Sequence, residues 1–412
     1  MSGAGRPKLV VVGCGFAGYS LLRGLRREHF DVTLVSPRNY FLFTPLLPSA
    51  ATGTVEFRSI VEPARRRLRH VRVVEGRAVG VDWPRRRLAA EAAVGGASFE
   101  IEFDQLVVAV GAETATFGVP GAVENAIAFT ELEHARAVRR RVLEQFARAD
   151  VPGADERAIA AGLTFVVCGG GPTGVEVAAE IHDLIVGELK RAFPPLASRA
   201  RVVLVEAGPR LLASFDDALA DYAARHFRRE GIELRVDSPV AEVRAEAVVL
   251  ASGESIATGL VVWAAGTAPS AFVRALGVEL DRTGRILTAA DLRVPGREHL
   301  WAAGDCAAVG DPPLPATAQV AQQSGAHLAR ALVAVGTGRE PEPFRFRSFG
   351  MLAYVGGSRA LVDLPGVKWS GRWAWFFWRS VYLTKLVSFA NKAKVLFDWL
   401  KARLFGRDLA RF

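Results

Sequence analysis

The sequence predicts an α/β fold that contains two similar βαβ units and ends in an amphipathic helical element. Residues 8–37 and 163–208 share one layout: a short apolar run, a glycine-rich turn, an amphipathic stretch and a second apolar run. Lys, Arg and Trp are concentrated in a third region, residues 367–412. Short β-branched runs bounded by glycine are typical of buried parallel strands, so each repeated segment is predicted to form strand, helix and strand.

The composition is that of a folded protein of two or three domains. The chain has 412 residues, 50% of them hydrophobic, and a formal net charge of +9. Residues 367–412 hold ten Lys or Arg against two acidic residues, so the rest of the chain is nearly neutral. Nucleic-acid binding is typically carried by a basic folded surface, and we therefore expect no nucleic-acid partner.

Each repeated unit carries the G-x-G-x-x-G spacing directly after its first apolar run. The first motif is Gly13, Gly15 and Gly18, and the second is Gly169, Gly171 and Gly174. The first glycine of such a motif allows a tight turn, the second lets the backbone approach a pyrophosphate, and the third lets helix and strand pack closely. Two motifs predict two Rossmann-like dinucleotide-binding domains, one for a flavin and one for a nicotinamide.

The ends of the later strands refine this prediction. Glu206 ends the second strand of the second unit, where an acid accepts hydrogen bonds from the ribose of NADH and repels the extra phosphate of NADPH. Its distance in sequence from Gly169 exceeds the usual ~20 residues, which an extended helix would explain. Ser36 holds the corresponding position in the first unit and can still bond a ribose. Gly304 and Asp305 follow another apolar strand, where an aspartate is typical of a ribityl contact to FAD.

The three cysteines do not predict chemistry. Cys14, Cys168 and Cys306 are far apart in sequence, and they form neither a C-x-x-C pair nor a metal-ligand spacing. We expect them to be small buried residues beside tight turns, and we predict no metal site.

The C-terminal tail combines basic and aromatic residues. It holds five of the eight tryptophans, and "RWAWFFWRS" and "NKAKVLFDWLKARLF" are predicted to form two amphipathic helices. Its longest uncharged run, residues 373–378, is far shorter than the ~20 residues that span a bilayer. We expect an element that lies on a lipid surface, with a core or dimer role for the same aromatics as the alternative. The short polar N-terminus leaves no room for a signal peptide, which favours a protein facing the cytoplasm.

Five segments together resemble one family. They are "VSPRNYFLFTPLLPSAATGTVEFRSIVEP", "AVGAETATFGVPG", "ATAQVAQQSGAHLA", "MLAYVGGSRALVDLPG" and "WRSVYLTKLVSFANKAKVLFDWLKARLFGRD". The chain resembles the type II, non-proton-pumping NADH:quinone oxidoreductases over essentially its whole length, and most closely the mitochondrial branch, where a serine at position 36 is usual. The resemblance implies an FAD-dependent enzyme that oxidises NADH and reduces a membrane quinone, ubiquinone or menaquinone. It also implies a peripheral protein, expected as a homodimer, on the cytoplasmic face of the inner (plasma) membrane.

The resemblance assigns roles to individual residues. For FAD it implies Gly13, Gly15, Phe16, Ala17, Gly18, Ser36, Pro37, Arg38, Thr44, Pro45, Ala109, Gly111, Gly304 and Asp305. For NADH it implies Gly169, Gly171, Pro172, Thr173, Gly174, Glu206 and Gly266. The A-Q-x-A-x-Q element places Gln319 and Gln323 toward the quinone, although both could simply be polar positions at a helix start. Glu176 is expected to orient a cofactor and influence proton handling, or else to be a first-turn acid favoured by the helix dipole.

The predicted organisation is discontinuous. Residues 1–128 and 281–340 form the FAD domain, residues 129–280 the NADH domain and residues 341–412 the membrane-anchoring region. Thr130 and Glu133 show a capping-box pattern at the start of a connecting helix. Two other functions stay open: a sulfide:quinone oxidoreductase, which needs a cysteine pair at the flavin, and a redox-sensing or nucleic-acid-binding flavoprotein of the apoptosis-inducing-factor type, which needs spread basic patches.

Overall fold

The computed structural model describes residues 6–410 and divides into two compact units. Within the described residues, unit 1 consists of residues 6–42, 62–113 and 267–348, and unit 2 of residues 43–61, 114–266 and 349–410. The domain limits predicted from the sequence differ from these and stay a prediction. Arg411 of the basic tail lies outside the described residues.

The helices are numbered in chain order. They are α1 (Phe16–Gly24), α2 (Leu47–Ala51), α3 (Ala64–Arg67), α4 (Ala122–Asn125), α5 (Leu132–Ala149), α6 (Glu156–Gly162), α7 (Pro172–Leu184), α8 (Lys190–Ala192), α9 (Pro194–Ala197), α10 (Asp217–Glu230), α11 (Ala271–Ala275), α12 (Ala318–Gly336), α13 (Arg372–Lys385) and α14 (Phe389–Phe405). Short 3-10 turns cover Thr44–Leu46, Phe57–Ser59 and Gly304–Cys306, and a π-helical turn covers Ile185–Leu189.

The strands are numbered in the same way. They are β1 (Lys8–Val12), β2 (Asp31–Ser36), β3 (Tyr40–Leu42), β4 (Val61–Pro63), β5 (Val71–Asp82), β6 (Arg87–Ala92), β7 (Ser98–Glu102), β8 (Gln105–Val108), β9 (Glu113–Thr114), β10 (Ile127–Ala128), β11 (Thr164–Cys168), β12 (Arg201–Val205), β13 (Glu233–Arg235), β14 (Val240–Arg244), β15 (Ala247–Leu250), β16 (Ser255–Ala257), β17 (Leu260–Trp263), β18 (Thr267–Ala268), β19 (Ile286–Leu287), β20 (Arg293–Val294), β21 (Arg297–Ala302), β22 (Ala307–Ala308), β23 (Met351–Gly356), β24 (Arg359–Leu364) and β25 (Val367–Gly371).

Unit 1 is built on an eight-stranded sheet with the order β20-β21-β8-β1-β2-β5-β6-β7. The five strands from β21 to β5 run parallel, and antiparallel strands extend the sheet at both edges. Four of the five residues of β1 are buried, which is typical of a parallel strand covered on both faces. The α/β class and the first βαβ unit, β1-α1-β2, are therefore confirmed.

Unit 2 is built on a five-stranded parallel sheet with the order β10-β17-β11-β12-β13. All five residues of β11 are buried, and the second predicted βαβ unit is confirmed as β11-α7-β12. α7 continues through the π-helical turn into α8, which explains the long interval between Gly169 and Glu206. Two antiparallel three-stranded sheets, β14-β15-β16 and β23-β24-β25, complete the unit.

The connecting helix α5 begins differently from its predicted start. Its N-cap is Glu131, whose side chain and that of His134 form the reciprocal capping box. The predicted pair, Thr130 with Glu133, is therefore wrong by one position. The imidazole accepts from the backbone N–H of Glu131 at 3.2 Å, which is the role that Glu or Gln usually has in a capping box.

The tail forms the two predicted helices, α13 and α14, but its tryptophans differ in exposure. Trp375, Trp378 and Trp399 are buried within unit 2, so they are not available to a lipid surface. Trp373 is 81% exposed. The expectation of a lipid-facing tail therefore needs correction for the three buried rings, because α13 packs against β24 and α14 against α13. Among the described residues, no helix is long and apolar enough to cross a membrane.

Candidate functional site

The first glycine turn connects β1 to α1 in unit 1. Gly13 has φ +105°, and a Cβ added there would lie 2.3 Å from the carbonyl oxygen of Ala109. A Cβ at Gly18 would lie 2.0 Å from the carbonyl oxygen of Gly13, whereas a Cβ at Gly15 would meet nothing within 4 Å. The outer glycines thus allow close packing, and the middle one leaves open space at the N-terminus of α1. This is the geometry that a pyrophosphate requires.

The other residues predicted for FAD lie in both units. Phe16 and Ala17 begin α1, and Ser36 ends the neighbouring strand β2. The Ser36 hydroxyl is buried and accepts from the backbone N–H of Arg38 at 3.2 Å. Pro37, between these two residues, is exposed. Gly111 lies beyond the end of β8, where an added Cβ would meet nothing within 4 Å. Thr44 and Pro45 belong to unit 2, where they begin a 3-10 turn.

The turn at Gly304 and Asp305 lies beside the start of α1 and the first turn of α12. A Cβ at Gly304 would lie 3.1 Å from the Cβ of Ala17 and 3.4 Å from that of Ala321. Within the described residues the Asp305 carboxylate makes no hydrogen bond; burial raises its pKa, and the nearby Arg285 opposes the rise. A largely buried carboxylate without a protein donor is suited to accept from ligand hydroxyls.

Two glycines bring α1 and α12 into close contact, and the sequence analysis did not identify them. A Cβ at Gly325 would lie 2.1 Å from the carbonyl oxygen of Ala17, and a Cβ at Gly24 would lie 2.8 Å from the Cβ of Ala329. Both helices therefore approach at backbone distance. The crossing fixes the first turn of α12, which carries Gln319, relative to the first glycine turn.

Gln323 has a specific partner in unit 1. Its side-chain amide donates to the carbonyl oxygen of Arg347 at 2.9 Å, and its amide oxygen accepts from the Arg347 backbone N–H at 3.1 Å. This reciprocal pair ties α12 to the extended segment 341–348. Gln323 therefore supports that segment in this structure, and its predicted contact with quinone stays a prediction, as does that of Gln319.

The second glycine turn repeats the geometry of the first one in unit 2. Gly169 has φ +112°, and a Cβ at Gly174 would lie 1.8 Å from the Gly169 carbonyl oxygen. A Cβ at Gly171 would meet nothing within 4 Å. Pro172 and Thr173 follow as the exposed first residues of α7, with proline at the position where its missing N–H costs nothing.

Glu206 lies directly beside this turn. Its carboxylate accepts from the backbone N–H of Gly170 and from that of Gly208, the latter at 2.7 Å. The two bonds use one oxygen each, so each oxygen keeps a further acceptor site for a ribose hydroxyl. Gly266 lies beyond the end of β17, which neighbours β11 in the sheet. Both predicted residues are thus at the carboxyl end of the parallel strands, where nucleotides bind in this fold class.

Glu176 is the fifth residue of α7, in its second turn. The helix has no acidic residue in its first turn, so the helix-dipole explanation is wrong for this residue. The side chain is 6% exposed and accepts from the Tyr354 backbone N–H at 3.0 Å. Burial raises the pKa of Glu176 to about 8, and the neighbouring Glu180 adds to the rise. The carboxyl group therefore holds its proton at neutral pH.

A cluster of buried charges that the sequence analysis missed continues from Glu176 along α7. Glu180 accepts from the hydroxyls of Ser49 at 2.6 Å and Thr52 at 2.7 Å, and it pairs with Arg407 at 3.3 Å. A cavity of about 300 Å³ adjoins the cluster; its lining includes Asp183, Glu188, Tyr354, Trp378, Arg379, Trp399 and Arg407. Burial raises the pKa of Asp183, which accepts from the Tyr354 hydroxyl. The signal was present in the recurrence of acids at every third or fourth residue, 176, 180 and 183.

The cysteines are buried and free. Burial raises the pKa of Cys14, Cys168 and Cys306 to about 12 in each case, so none is a ready thiolate nucleophile. The described residues include no cluster of His, Cys, Asp and Glu that could hold a metal ion.

Comparisons with known proteins agree with this architecture. Residues 7–325 match the family described as pyridine nucleotide-disulphide oxidoreductase, and residues 349–408 match the NDH2 C-terminal domain. Over 98% of its length the chain is 37% identical to "Probable NADH dehydrogenase" of Dictyostelium discoideum, of which 91% is covered. It is also 37% identical, over 98% of its length, to "Internal alternative NAD(P)H-ubiquinone oxidoreductase A1, mitochondrial" of Arabidopsis thaliana, of which 86% is covered.

A solved structure supports the fold. The structure of NDH2 from Plasmodium falciparum in complex with NADH superposes with a TM-score of 0.94 at 23% identity, covering 98% of this chain and 100% of that one. At this identity the likeness concerns the fold alone.

Proposed function

The chain belongs to the pyridine nucleotide-disulphide oxidoreductase family, in the branch that carries the NDH2 C-terminal domain, and we propose that it transfers two electrons from NADH through FAD to a membrane quinone without pumping protons. The observation that carries this proposal is the pair of glycine turns. In each of them the outer glycines are closely packed, whereas the middle glycine leaves room for a pyrophosphate. The names of the curated relatives supply the acceptor: they include NADH- and NAD(P)H-ubiquinone oxidoreductases.

The residues of the chain bind and orient the two dinucleotides. FAD, when bound, supplies the two-electron carrier that a nicotinamide reduces and a quinone reoxidises. The turn at Gly15 would hold its pyrophosphate, Ser36 would bond its ribose and Asp305 would accept from its ribityl hydroxyls. Glu206 accepts from the adenosine ribose of NADH, next to the turn at Gly171, and its negative charge disfavours a 2′-phosphate there.

Glu176 is the proton-holding group of this proposal. Reduction of a quinone to a quinol takes up protons as well as electrons, so a neutral carboxylic acid close to the acceptor is useful at neutral pH. Glu176 fits this role because burial raises its pKa to about 8, so that the carboxyl group is protonated at neutral pH. The backbone N–H of Tyr354 fixes the direction of its carboxyl group at 3.0 Å.

The C-terminal helix α14 supports a peripheral contact with a lipid surface. Along one face, within a sector of about 100° of the helix, it exposes the apolar side chains of Phe389, Leu396, Phe397, Leu400 and Leu404. Lys392 and Arg403 lie on one side of this stripe and Lys394 on the other, so that their charged ends can reach lipid headgroups. Lys401, on the same side as Lys394, pairs with Glu56 at 3.2 Å. A contiguous apolar face bordered by basic residues is typical of a helix that lies in the interfacial region.

Polar contacts on the opposite face hold α14 against unit 2. The Asn391 side chain donates to the carbonyl oxygen of Val61 at 2.9 Å, and Asp398 accepts from the backbone N–H of Glu56 at 3.0 Å. Trp399 is buried on this same side. The exposed stripe is therefore presented by a fixed helix, and it does not depend on a flexible tail.

The rival function of sulfide oxidation is not favoured by the thiols. Cys14, Cys168 and Cys306 are all buried and unpaired, whereas that chemistry needs a reactive cysteine pair at the flavin. A nucleic-acid-binding role is likewise disfavoured, because the basic excess of the sequence is concentrated in the tail that carries α14.

The electron-transfer proposal is tested by the acceptor dependence of NADH oxidation. The FAD-loaded protein is expected to oxidise NADH rapidly with a short-chain quinone and only slowly with oxygen alone. Sulfide should not replace NADH as the electron donor. Equal rates with and without quinone would point to an oxidase or a redox sensor and would count against the proposal.

The membrane proposal is tested on the exposed stripe. The double variant Leu400→Ser and Leu404→Ser should sediment less with anionic liposomes and lose turnover with a long-chain quinone, while turnover with a short-chain quinone is kept. Val151→Ser, at a residue 57% exposed in a loop of unit 2, is the matched control. Undiminished sedimentation of the double variant, with full FAD content, would mean that the contact lies elsewhere.

We expect the lipid contact to be on the cytoplasmic face of the inner membrane and the protein to be a homodimer. Light scattering of the purified protein measures the second of these directly.

A further inference from the structure

Phe117 combines an unusual backbone conformation with an exposed ring. It lies in the loop between β9 and α4, its φ is +52°, and its side chain is 72% exposed. Bulky residues rarely adopt this left-handed region, and where they do the strain is commonly located at a ligand site.

The loop around Phe117 is tied to the end of β17. The backbone N–H of Ala115 donates to the Gly266 carbonyl oxygen at 3.3 Å, and the Trp263 indole N–H donates to the Ala115 carbonyl oxygen at 2.8 Å. On the far side of Phe117 a turn is closed by the bond from Val119 N–H to the Thr116 carbonyl oxygen at 2.9 Å. The strained residue is therefore held from both sides.

The ring of Phe117 lies against Gly266. A Cβ added to Gly266 would lie 2.3 Å from the Cζ atom and 2.8 Å from the Cε2 atom of the ring. Gly266 itself has φ +66°. Only glycine leaves room for this ring edge, so the two residues form one surface.

This surface is at the nucleotide-binding end of the sheet in unit 2. β17 pairs with β11, and a Cβ at Gly169 would lie 2.8 Å from the backbone of Ala264 and Ala265. The segment that leads to Gly266 thus passes directly beside the second glycine turn. Ligands of such parallel sheets bind at the carboxyl ends of the strands.

We propose that Phe117 and Gly266 form the seat for the nicotinamide end of NADH, with the Phe117 ring packing against it. This inference rests on the proposed function, and it adds a residue that binds the nicotinamide to those that bind the adenosine and pyrophosphate. An exposed aromatic ring gains contact when a flat apolar ligand packs against it. Because the ring already lies against Gly266, part of its conformational freedom is lost before the ligand binds.

The test compares two ligands that differ at the nicotinamide end. ADP-ribose contains the adenosine, the pyrophosphate and the second ribose but lacks nicotinamide, whereas NAD⁺ contains all four. Calorimetric titrations of the FAD-loaded protein give Kd for each ligand in the parent and in Phe117→Asn, Phe117→Tyr and Val123→Ala. Asparagine tolerates the left-handed backbone, so the first variant removes the ring without new strain. Val123 is 73% exposed in the same unit and serves as the control.

We expect Phe117→Asn to weaken NAD⁺ binding by about three- to tenfold and to change ADP-ribose binding by less than about twofold. Phe117→Tyr and Val123→Ala should bind both ligands as the parent does. The KM for NADH should rise in Phe117→Asn, with kcat at saturating NADH unchanged. Loss of both ligands together, no change in either, or tighter NAD⁺ binding in Phe117→Asn would each overturn the inference. A parent protein that binds neither ligand would overturn the proposed function as well.

Discussion

Glu176→Gln is expected to make the stability of the folded protein less dependent on pH. Glu176 is 6% exposed, and burial raises its pKa to about 8 from its ordinary 4.5, with the Tyr354 N–H opposing the rise and Glu180 adding to it. The folded protein therefore keeps a proton at pH 7 that the unfolded chain releases. Glutamine has the same shape, stays neutral and retains an oxygen that accepts from the Tyr354 N–H.

The size of the effect follows from the difference in bound protons. Below about pH 4.5 both states are protonated, and above about pH 8 both are ionised. Between these limits the folded state binds one more proton, so the free energy of unfolding falls by about 1.4 kcal/mol for each pH unit as the pH rises. From about pH 5 to pH 8 the parent thus loses up to about 4 kcal/mol through this residue. Because the entropy of unfolding of a chain of this length is about 0.9 kcal/mol/K, the loss corresponds to roughly 5 °C in Tm.

Scanning calorimetry of the FAD-loaded protein between about pH 5 and pH 8 measures this effect. The Tm of Glu176→Gln minus the Tm of the parent should be near zero at the acid end and should grow steadily toward pH 8. Glu124→Gln, at an exposed position of unit 2, should follow the parent at every pH. A difference that stays constant over the range would refute the assignment of a buried, protonated carboxyl group to Glu176.

Three further predictions concern nucleotide choice, the quinone half-reaction and the buried ion pairs. Glu206→Gln should raise activity with NADPH and narrow the preference for NADH by about tenfold in kcat/KM; undiminished discrimination would exclude Glu206 as the ribose ligand. Alanine at Gln319 or Gln323 should slow reoxidation of the flavin by quinone in stopped flow and leave its reduction by NADH nearly intact, whereas equal losses would indicate general support of the flavin. Arg407→Met should lower the free energy of unfolding by about 3–5 kcal/mol, because it leaves buried carboxylates unpaired. Arg403→Met, at an exposed position nearby, should change the free energy of unfolding by less than about 0.5 kcal/mol. Denaturant unfolding of both variants measures these changes, and equal losses in the two variants would contradict the role given to Arg407.

The two glycine turns could be predicted because their requirements are local. A tight strand-to-helix connection needs glycine where a Cβ would clash, as at Gly18 and Gly174, and the sequence displays those spacings directly. The same holds for Glu206, which follows a short apolar strand. Its bonds to the N–H groups of Gly170 and Gly208 could not be predicted, since they depend on how the turn and the strand end approach each other.

Partners that are distant in sequence were beyond the prediction. The amide of Gln323 is paired with the backbone of Arg347, in a segment without regular structure whose course no periodicity reveals. In the sequence Arg407 is one of several basic tail residues, yet its side chain is only 13% exposed and pairs with Glu180. A charge pattern reports where the charges lie along the chain, and tertiary packing decides which of them are exposed.

The aromatic tail shows the same limit within single helices. The apolar residues of α13 are distributed over all faces of the helix, so its sequence does not tell which face packs inward. Packing against β24 buries Trp375 and Trp378 and leaves Trp373 exposed. In α14 the exposed apolar stripe and the buried face lie on different sides of the helix. The sequence alone is equally compatible with one broad apolar face, and only the structure separates the two.

The central claim, that this chain passes electrons from NADH through FAD to a quinone, is tested most directly by anaerobic stopped flow of the FAD-loaded protein. Mixing with NADH should bleach the flavin absorbance, and a second mixing with a short-chain quinone should restore it at a rate that accounts for steady-state turnover. A flavin that NADH does not bleach, or that quinone fails to reoxidise, would contradict the account.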